Sequence, residues 1–207
     1  MDILRPDSEF MEFLSKVADF MILNVLCFLL SMPIITAGAA FTAKYYVAMK
    51  IVRGEEPSVW KSYWKSFREN FFQITPVWMV FAIIFAVLGL DWYNILFGAS
   101  QNIVWVAKIF LGVFTFFAWS TVYCLFPFVA YFHSSTREAI KGAMLMSFLL
   151  LPKMVLVFIA IFLPYLICAW YIEWGLAIWI FATTVTLYYV SRMMNRQLSL
   201  IQNGGNA

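Results

Sequence analysis

An apolar run without a single charged side chain occupies residues 72–90 and limits what this chain can fold into. At about 1.5 Å per residue, a helix of that length is roughly as long as a membrane's hydrocarbon core is thick. The rest of the chain agrees, because 12% of its residues are charged, whereas soluble domains carry about 25%. Together with a mean hydropathy of +0.84, this predicts an all-α, polytopic membrane helical bundle. We expect residues 1–207 to form a single integral membrane domain, with no sizeable soluble domain.

Breaks between the apolar runs set the predicted helix boundaries. Six membrane helices are predicted over residues 10–31, 34–51, 72–90, 103–131, 154–170 and 176–190. Two more helices are predicted outside the spans: an interfacial one over 57–71, and one over 137–151 that is interfacial or partly inserted.

The first two predicted helices are separated by a turn around Pro33 and Gly38. Proline removes a backbone donor and disfavours helix at the residue before it. Gly38 and its small neighbours permit a tight turn or a close helix approach. A hairpin here gives six membrane helices, and we favour it; one kinked span over the same residues would give five.

The longest polar stretch of the chain, residues 53–73, contains a segment with two distinct faces. Aromatic side chains at helical spacing line one face of residues 57–71, and basic side chains line another. Such a helix lies well in a membrane interface, with its rings at headgroup depth and its cations toward anionic lipid. We expect it either to anchor this loop or to dock a partner. The residues concerned are Arg53, Trp60, Lys61, Trp64, Lys65, Phe67 and Arg68.

A second polar stretch, residues 133–153, precedes the last two predicted spans. Ser135 or Thr136 is suited to cap the helix over 137–151, because a hydroxyl oxygen there can accept from a free backbone amide. Pro152 is expected to end that helix. Arg137 and Lys141 lie on it and are expected to join the partner-binding or interfacial set.

Lysine and arginine concentrate in alternate connections. The loop around residues 50–68, the stretch 133–153 and the tail after residue 190 carry cations, whereas the connectors 91–102 and 171–175 carry none. Because cytoplasmic loops are enriched in these residues, we expect the amphipathic helix and the C-terminus to be cytoplasmic. The hairpin would place the N-terminus there too. The bilayer is thus the first expected partner, and no soluble basic domain exists that would bind nucleic acid.

Three charged side chains fall inside predicted spans: Asp19, Lys44 and Lys108. A charge within a membrane usually faces a partner or a transport path. Asp19 and Lys44 come to a similar depth in the hairpin, so we expect them to pair. Lys108 lies near the outer edge of its span, from which its stem can snorkel to the interface.

Motifs of enzymatic chemistry are absent from the sequence. It has no HExxH, GxSxG or Walker pattern, and its single histidine, His133, is expected at a membrane edge. Cys27, Cys124 and Cys168 lie within apolar runs, as buried thiols that act as small hydrophobes do. We therefore expect no enzyme, no cofactor and no metal site.

Several short motifs follow one another in an order that resembles a known family. They are SMPIITAG at residues 31–38, YY at 45–46, RGE at 53–55 and WKSFRENF at 64–71. The order resembles that of the YesL-like family of bacterial integral membrane proteins of unknown function, and the likeness is strongest between residues 20 and 73. The sequence departs from the family at Gly38-Ala39, where Gly-Pro is frequent.

The resemblance implies a bacterial inner-membrane protein without an established activity. Genes of that family often lie beside carbohydrate ABC importers and two-component regulators. This implies a non-enzymatic accessory role, with importer permease or sensor-kinase subunits as partners of the cytoplasmic amphipathic surface. The alternative is an autonomous small-solute transporter or channel, with Lys108 or the Asp19–Lys44 pair on its path.

Overall fold

The computed structural model describes residues 9–55, 57–98, 105–132, 134–170 and 175–204. Regular structure in these ranges is helical, which confirms the predicted all-α class. The described helices are α1 (Glu9–Ser31), α2 (Ile34–Val52), α3 (Val59–Phe97), α4 (Trp105–Tyr131), α5 (Thr136–Leu149), α6 (Leu151–Trp170) and α7 (Gly175–Gly204).

The first two helices form a hairpin rather than one kinked span. α1 and α2 pack against each other, and Pro33 is the N-cap of α2, a position where its missing N–H breaks no helical hydrogen bond. The Thr36 hydroxyl donates to the carbonyl oxygens of Leu30, at 2.5 Å, and Pro33, at 2.9 Å. This ties the end of α1 to the start of α2.

Gly38 lies inside α2, and of its two expected roles, a tight turn or a close helix approach, it has the second. A Cβ atom on Gly38 would lie 2.7 Å from the Cβ atom of Trp78 on α3. The Trp78 indole N–H donates to the carbonyl oxygen of Ile34 at 2.6 Å. Farther along α2, the Tyr63 hydroxyl donates to the carbonyl oxygen of Ala40 at 3.0 Å. Small residues on α2 thus let α3 approach closely, as they do between membrane helices.

α3 is one continuous helix of 39 residues, so the predicted boundary between a helix over 57–71 and a separate span over 72–90 is wrong. No Gly or Pro lies at the expected boundary, and Pro76 lies within the helix. Tyr63, Phe67 and Ile74 are buried on one face that crosses this boundary. Because that face packs on α2, residues 59–71 are the first turns of a long bundle helix.

α2 ends in a Schellman motif. Gly54, with φ of 78°, follows the C-cap residue Arg53. The N–H of Gly54 donates to the carbonyl oxygen of Ile51, and that of Glu55 to the carbonyl oxygen of Lys50. The positive φ suits glycine, which has no Cβ atom to clash. The motif turns the chain toward the start of α3.

A capping box starts α5. The Glu138 N–H donates to the Ser135 hydroxyl oxygen at 3.5 Å, and the Ser135 N–H donates to the Glu138 carboxylate at 3.0 Å. Ser135, rather than Thr136, is therefore the cap. α5 and α6 meet at an angle of 88°, so the chain turns sharply just before Pro152.

α7 runs well beyond the predicted end at residue 190, reaching Gly204. The sequence suggested that Arg192 and Arg196 open a polar tail. In the structure they are exposed on a helix whose other face buries Met194 and Leu198. Asn24 on α1 donates to the Thr184 hydroxyl on α7 at 3.0 Å, so the first and last helices are neighbours.

Long apolar helices give the described part of the chain the character of a membrane protein. The helices Phe10–Ser31, Val59–Phe97 and Trp105–Tyr131 are long and apolar enough to cross a membrane. The bent pair Thr136–Leu149 and Leu151–Ile161 adds a fourth crossing if it is one broken span. Within the described residues this makes three or four candidate spans, and the prediction of six is not confirmed.

Candidate functional site

The two basic stretches seen in the sequence meet in the structure. Gln73 on α3 donates through its side-chain amide to the carbonyl oxygen of Ser134, just before α5, at 2.7 Å. This brings α3, about four turns from its start, beside the start of α5. We call the exposed cations of these two segments the basic surface. Its members are Lys61, Lys65, Arg68, Arg137 and Lys141.

No member of the basic surface forms an ion pair within 4.0 Å in the part of the chain that the structure describes. The described ion pairs within 4.0 Å join Lys16 to Glu12, and Lys50 and Arg53 to Glu55. None of them includes a member of the basic surface. Five cations thus face outward without a compensating ion pair, which suits contact with an anionic surface.

The aromatic residues predicted beside these cations differ in their exposure. Trp60 is 58% exposed, whereas Phe67 is only 9% exposed. Phe67 is therefore part of the core and cannot be buried by a partner, contrary to our expectation. Trp64 is half-buried, and the Arg68 guanidinium lies 5.7 Å from the centre of its ring. Trp60 and the outer edge of Trp64 are the aromatic part of this surface.

Arg53 belongs to a separate cluster. Its Nε donates to Glu55 Oε1 at 2.8 Å, and its Nη1 donates to the Asn195 side-chain oxygen on α7 at 3.3 Å. Partial burial opposes ionisation of Glu55, but the hydrogen bond and charge of Arg53, together with Lys50, outweigh it and lower the Glu55 pKa. Arg53 thus links α2 to α7 instead of facing outward with the basic surface.

The C-terminal ends of α2 and α4 and the last turns of α7 lie at the same end of the bundle, which we call the basic end. Arg53 contacts Asn195 there, and the Tyr131 hydroxyl donates to Gln202 Oε1 at 3.1 Å. The alternation of cations along the sequence therefore corresponds to one end of the folded chain. The contact between Trp92 and Thr115, at 3.1 Å, lies toward the other end.

A cavity of about 410 Å³ lies inside the bundle among α2, α3, α4, α6 and α7. Among the described residues, aromatic rings form most of its wall, and Lys44 is the one charged residue that lines it. We call it the Lys44 cavity. Its lining residues include Phe41, Lys44, Tyr45, Trp78, Trp119, Tyr123, Phe126, Thr183 and Thr186.

The expected ion pair between Asp19 and Lys44 is not formed. Among the described residues, no ion pair within 4.0 Å involves either side chain. Asp19 instead lines a small cleft with Glu12 and Lys16 beside the end of α2. The two side chains are apart because Lys44 faces the bundle interior while Asp19 lies at its margin.

Lys108 is half-buried on the first turn of α4 and is not among the residues that line the Lys44 cavity. Cys27 and Cys124 are buried free thiols, while His133 and the Cys168 side chain lie outside the described residues. Among those described, no group of three or more His, Cys, Asp or Glu residues is arranged to hold a metal ion.

The Lys44 cavity was not predicted from the sequence, although the residues that line it follow a pattern there. Its residues recur at helical spacing, as 41, 44 and 45 on α2, and as 119, 122, 123 and 126 on α4. Each stripe alone is typical of a buried helix face. Only the packing of the helices shows that the stripes leave a space between them.

The segment that contains the hairpin and most of α3 is similar to a described protein family. A family profile matches residues 20–92. Its description reads "Protein of unknown function, DUF624". This match covers the motifs from Ser31 to Phe71 that resemble the YesL-like family. No curated protein and no solved structure matches the chain. The match assigns no activity to the basic surface or to the Lys44 cavity.

Proposed function

We propose that this chain is a non-enzymatic accessory protein of the bacterial inner membrane that docks a partner through the basic surface at the cytoplasmic face. The partner that the family resemblance suggests is the permease of a carbohydrate ABC importer. Docking would place this protein beside the importer and let it assist or regulate sugar uptake. The partner's matching patch would be acidic, because the basic surface offers five cations.

The observation that carries this proposal is the hydrogen bond between Gln73 and Ser134, at 2.7 Å. It joins α3 to the start of α5, the two helices that carry these cations, across more than 60 residues of sequence. Exposed Trp60 beside Lys61 adds an apolar contact of the kind that dominates protein interfaces. Cations steer an acidic partner toward the surface, and the tryptophan supplies area that becomes buried.

Lipid headgroups are the competing explanation, since interfacial cations and tryptophan also bind anionic lipid. The two explanations differ in what a charge reversal does. Lipid contact is spread over many headgroups, so loss of two cations weakens it gradually. A docked protein has a defined patch, and two reversed charges within it oppose the partner directly.

The test is co-purification from native membranes in a mild detergent. We expect the double variant Lys61→Glu with Lys65→Glu to lose at least about nine-tenths of the bound permease while it still inserts, because like charges across an interface cost several kcal/mol. The matched control is Arg192→Glu with Arg196→Glu, which reverses two exposed charges at the basic end but on α7. It should retain the permease.

Equal recovery of the permease with the α3 variant and the wild type would contradict docking and support lipid anchoring. Recovery of a sensor kinase in place of the permease would keep the docking surface but change the partner. Recovery of no protein partner from membranes that express the importer would contradict the proposal.

A second candidate function, small-solute transport, is favoured by one observation, the cavity that holds Lys44 within the bundle. Transporter sites lie inside the bundle and use intramembrane charges. Uptake into proteoliposomes should then be lost with Lys44→Met and retained with Lys108→Met, because only Lys44 lines the cavity. If the wild-type protein took up no small organic anion with a flat aromatic body, the result would contradict transport.

A further inference from the structure

The Lys44 cavity has the composition of a ligand site rather than of a packing defect. Empty cavities in proteins are usually apolar throughout, and a charged group inside a membrane bundle is costly unless it has a partner. Here the Lys44 side chain lines a space of about 410 Å³. A volume of this size lies in the range of small-molecule sites.

Within the described residues, the Lys44 ammonium group has no carboxylate within 4.0 Å. It lies 5.9 Å from the centre of the Phe41 ring, a cation–π contact that offsets only part of the cost of burying the charge. A bound anion would supply the missing charge and accept hydrogen bonds from the three ammonium donors.

The walls of the cavity are built from aromatic pairs that already contact each other. The rings of Trp119 and Tyr123 stack with centres 4.9 Å apart and planes 20° apart. Phe41 and Phe126 stack at 5.3 Å and 21°, and Trp78 lies 6.0 Å from Phe126. Such stacked walls accept a flat apolar body more readily than a flexible or branched one.

The surface of the described wall is mainly apolar, and some of its polar groups are already hydrogen-bonded, which does not suit a sugar. The Thr186 hydroxyl already donates to the carbonyl oxygen of Ala182 at 2.8 Å, and the Trp78 N–H donates to Ile34 at 2.6 Å. A sugar that entered would leave several hydroxyls without partners, each at a cost. Lys44 likewise disfavours a cationic ligand. The class of ligand that fits the cavity is therefore one with a single anionic group on a flat, apolar body.

We propose that the Lys44 cavity binds a small organic anion with a flat aromatic body, the anionic group held by the Lys44 ammonium and the ring by Trp119, Tyr123 and Phe126. The site is separate from the basic surface, and binding does not require the docking function. Binding does not require transport either. If the cavity were part of a transport path, however, the transported solutes would be anions of this class.

The test is calorimetric titration of the full-length protein in nanodiscs, with empty nanodiscs as the reference for partition into lipid. The probes are 3-phenylpropionate, 3-phenylpropane-1-sulfonate and benzyl phosphate, and 3-phenylpropanamide is the uncharged match of the first. We expect saturable binding of at least one anion. The affinity of 3-phenylpropanamide should be about tenfold or more lower than that of 3-phenylpropionate, in line with the strength of a hydrogen bond to a charged group.

Substitutions of Lys44 test the role of its charge in binding separately from any effect on folding. Lys44→Met keeps a long side chain without the charge and should weaken anion binding about tenfold or more, whereas Lys44→Arg should retain it within about threefold. Lys108→Met, which removes a lysine outside the cavity, should bind as the wild type does. Unchanged or raised thermal stability of Lys44→Met would show that its loss of binding is not unfolding.

Three results would overturn the assignment. One is equal affinity for the amide and the carboxylate, and another is unchanged anion binding by folded Lys44→Met. The third is no saturable binding of any of the three anions by the wild-type protein. None of these results bears on co-purification of a permease, so failure here and failure of the docking proposal are distinguishable.

Discussion

At the scale of single residues, Gly38 is the position where the structure tolerates least change. Its missing side chain leaves room for Trp78, whose Cβ atom would lie 2.7 Å from a new Cβ atom. Because that atom is next to the backbone of α3, relief requires the two helices to move apart. We expect Gly38→Ala to destabilise the protein by about 1–3 kcal/mol, as overpacking does.

Gly89 on α3 is the matched control for this substitution. A Cβ atom there would meet nothing within 4 Å, and alanine favours helix over glycine by about 1 kcal/mol. Gly89→Ala should therefore leave the melting temperature unchanged or raise it. Thermal unfolding monitored by size-exclusion chromatography in detergent compares the two variants. A melting temperature of Gly38→Ala equal to that of the wild type would show that the helices do not meet at this point.

Glu55 gives the fold a predictable dependence on pH. Lys50 and Arg53 hold its pKa below the usual value of 4.5. Ionised Glu55 therefore contributes stability that is complete above about pH 4.5 and is lost as the pH falls through the lower pKa of the folded state. Because the Glu55 side chain is 45% exposed, screening by solvent limits this contribution to about 0.2–1 kcal/mol.

Substitution by glutamine isolates the contribution of the Glu55 charge. The stability difference between the wild type and Glu55→Gln should be present at pH 7 and shrink as the pH falls below about 4.5. Glu69→Gln is the control, because Glu69 is exposed and forms no ion pair within 4.0 Å among the described residues. A difference that stays constant between pH 7 and pH 3.5 would contradict the role assigned to Glu55.

At the scale of elements, α3 is the feature that departs most from expectation, and its continuity can be measured. Lys61 and Asp91 are exposed on the same helix. The 30 residues between them span about 45 Å in one straight helix. If residues 57–71 lay in the membrane plane at a right angle to the span, the separation would be about 33 Å by the same rise per residue.

Spin labels at Lys61 and Asp91 distinguish these distances by pulsed electron resonance in nanodiscs. We expect the longer separation. A second pair of labels at Val80 and Asp91 serves as the reference. Both positions are exposed on the part of α3 beyond residue 71, and the distance between them should be about 16 Å. A distance near 33 Å for the first pair would show that residues 57–71 lie at a right angle to the rest of α3, as an interfacial helix would.

Helix type was predictable from the sequence, but helix ends were predictable only where the chain carries a local signal. Pro33, Ser135 and Pro152 mark ends correctly, because each alters backbone hydrogen bonding. The end assigned at Phe71 rested on a change from polar to apolar residues, and polarity alone does not stop a helix. The same reasoning ended the last helix at residue 190, where burial of Met194 and Leu198 in fact continues it.

The candidate sites were predictable only as far as they depend on local sequence signals rather than on tertiary contacts. The cations of the basic surface are visible as clusters in sequence, but their union through Gln73 and Ser134 is a tertiary contact. The burial of Phe67 was missed because an aromatic stripe looks alike whether it faces lipid, a partner or the core. The Lys44 cavity depends on five helices at once, and no local pattern determines a space between helices.

At the scale of the whole molecule, the connections that are rich in Lys and Arg alternate along the sequence with connections that have none. In the folded chain the cation-rich connections gather at one end of the bundle. The basic end collects the end of α2, the start of α5 and the last turns of α7, through the contacts of Arg53 with Asn195, of Gln73 with Ser134 and of Tyr131 with Gln202. The last turns of α3 contribute Asp91 and Asn94 to the other end. Because Lys and Arg are retained on the cytoplasmic side, this distribution is the basis for the proposed orientation.

Labelling of single cysteines tests that orientation. In a background with the three native cysteines replaced by alanine, cysteine is introduced at Lys61, Arg137, Arg192 or Asn94, all exposed. An impermeant maleimide added to intact spheroplasts should label only the Asn94 position, and lysis should make the other three reactive. Labelling of those three and not of Asn94 in intact spheroplasts would reverse the proposed orientation but leave the fold intact. If Lys61, Arg137 and Arg192 behaved differently from one another, the shared basic end itself would be wrong, because positions at one end of a bundle face the same side of the membrane.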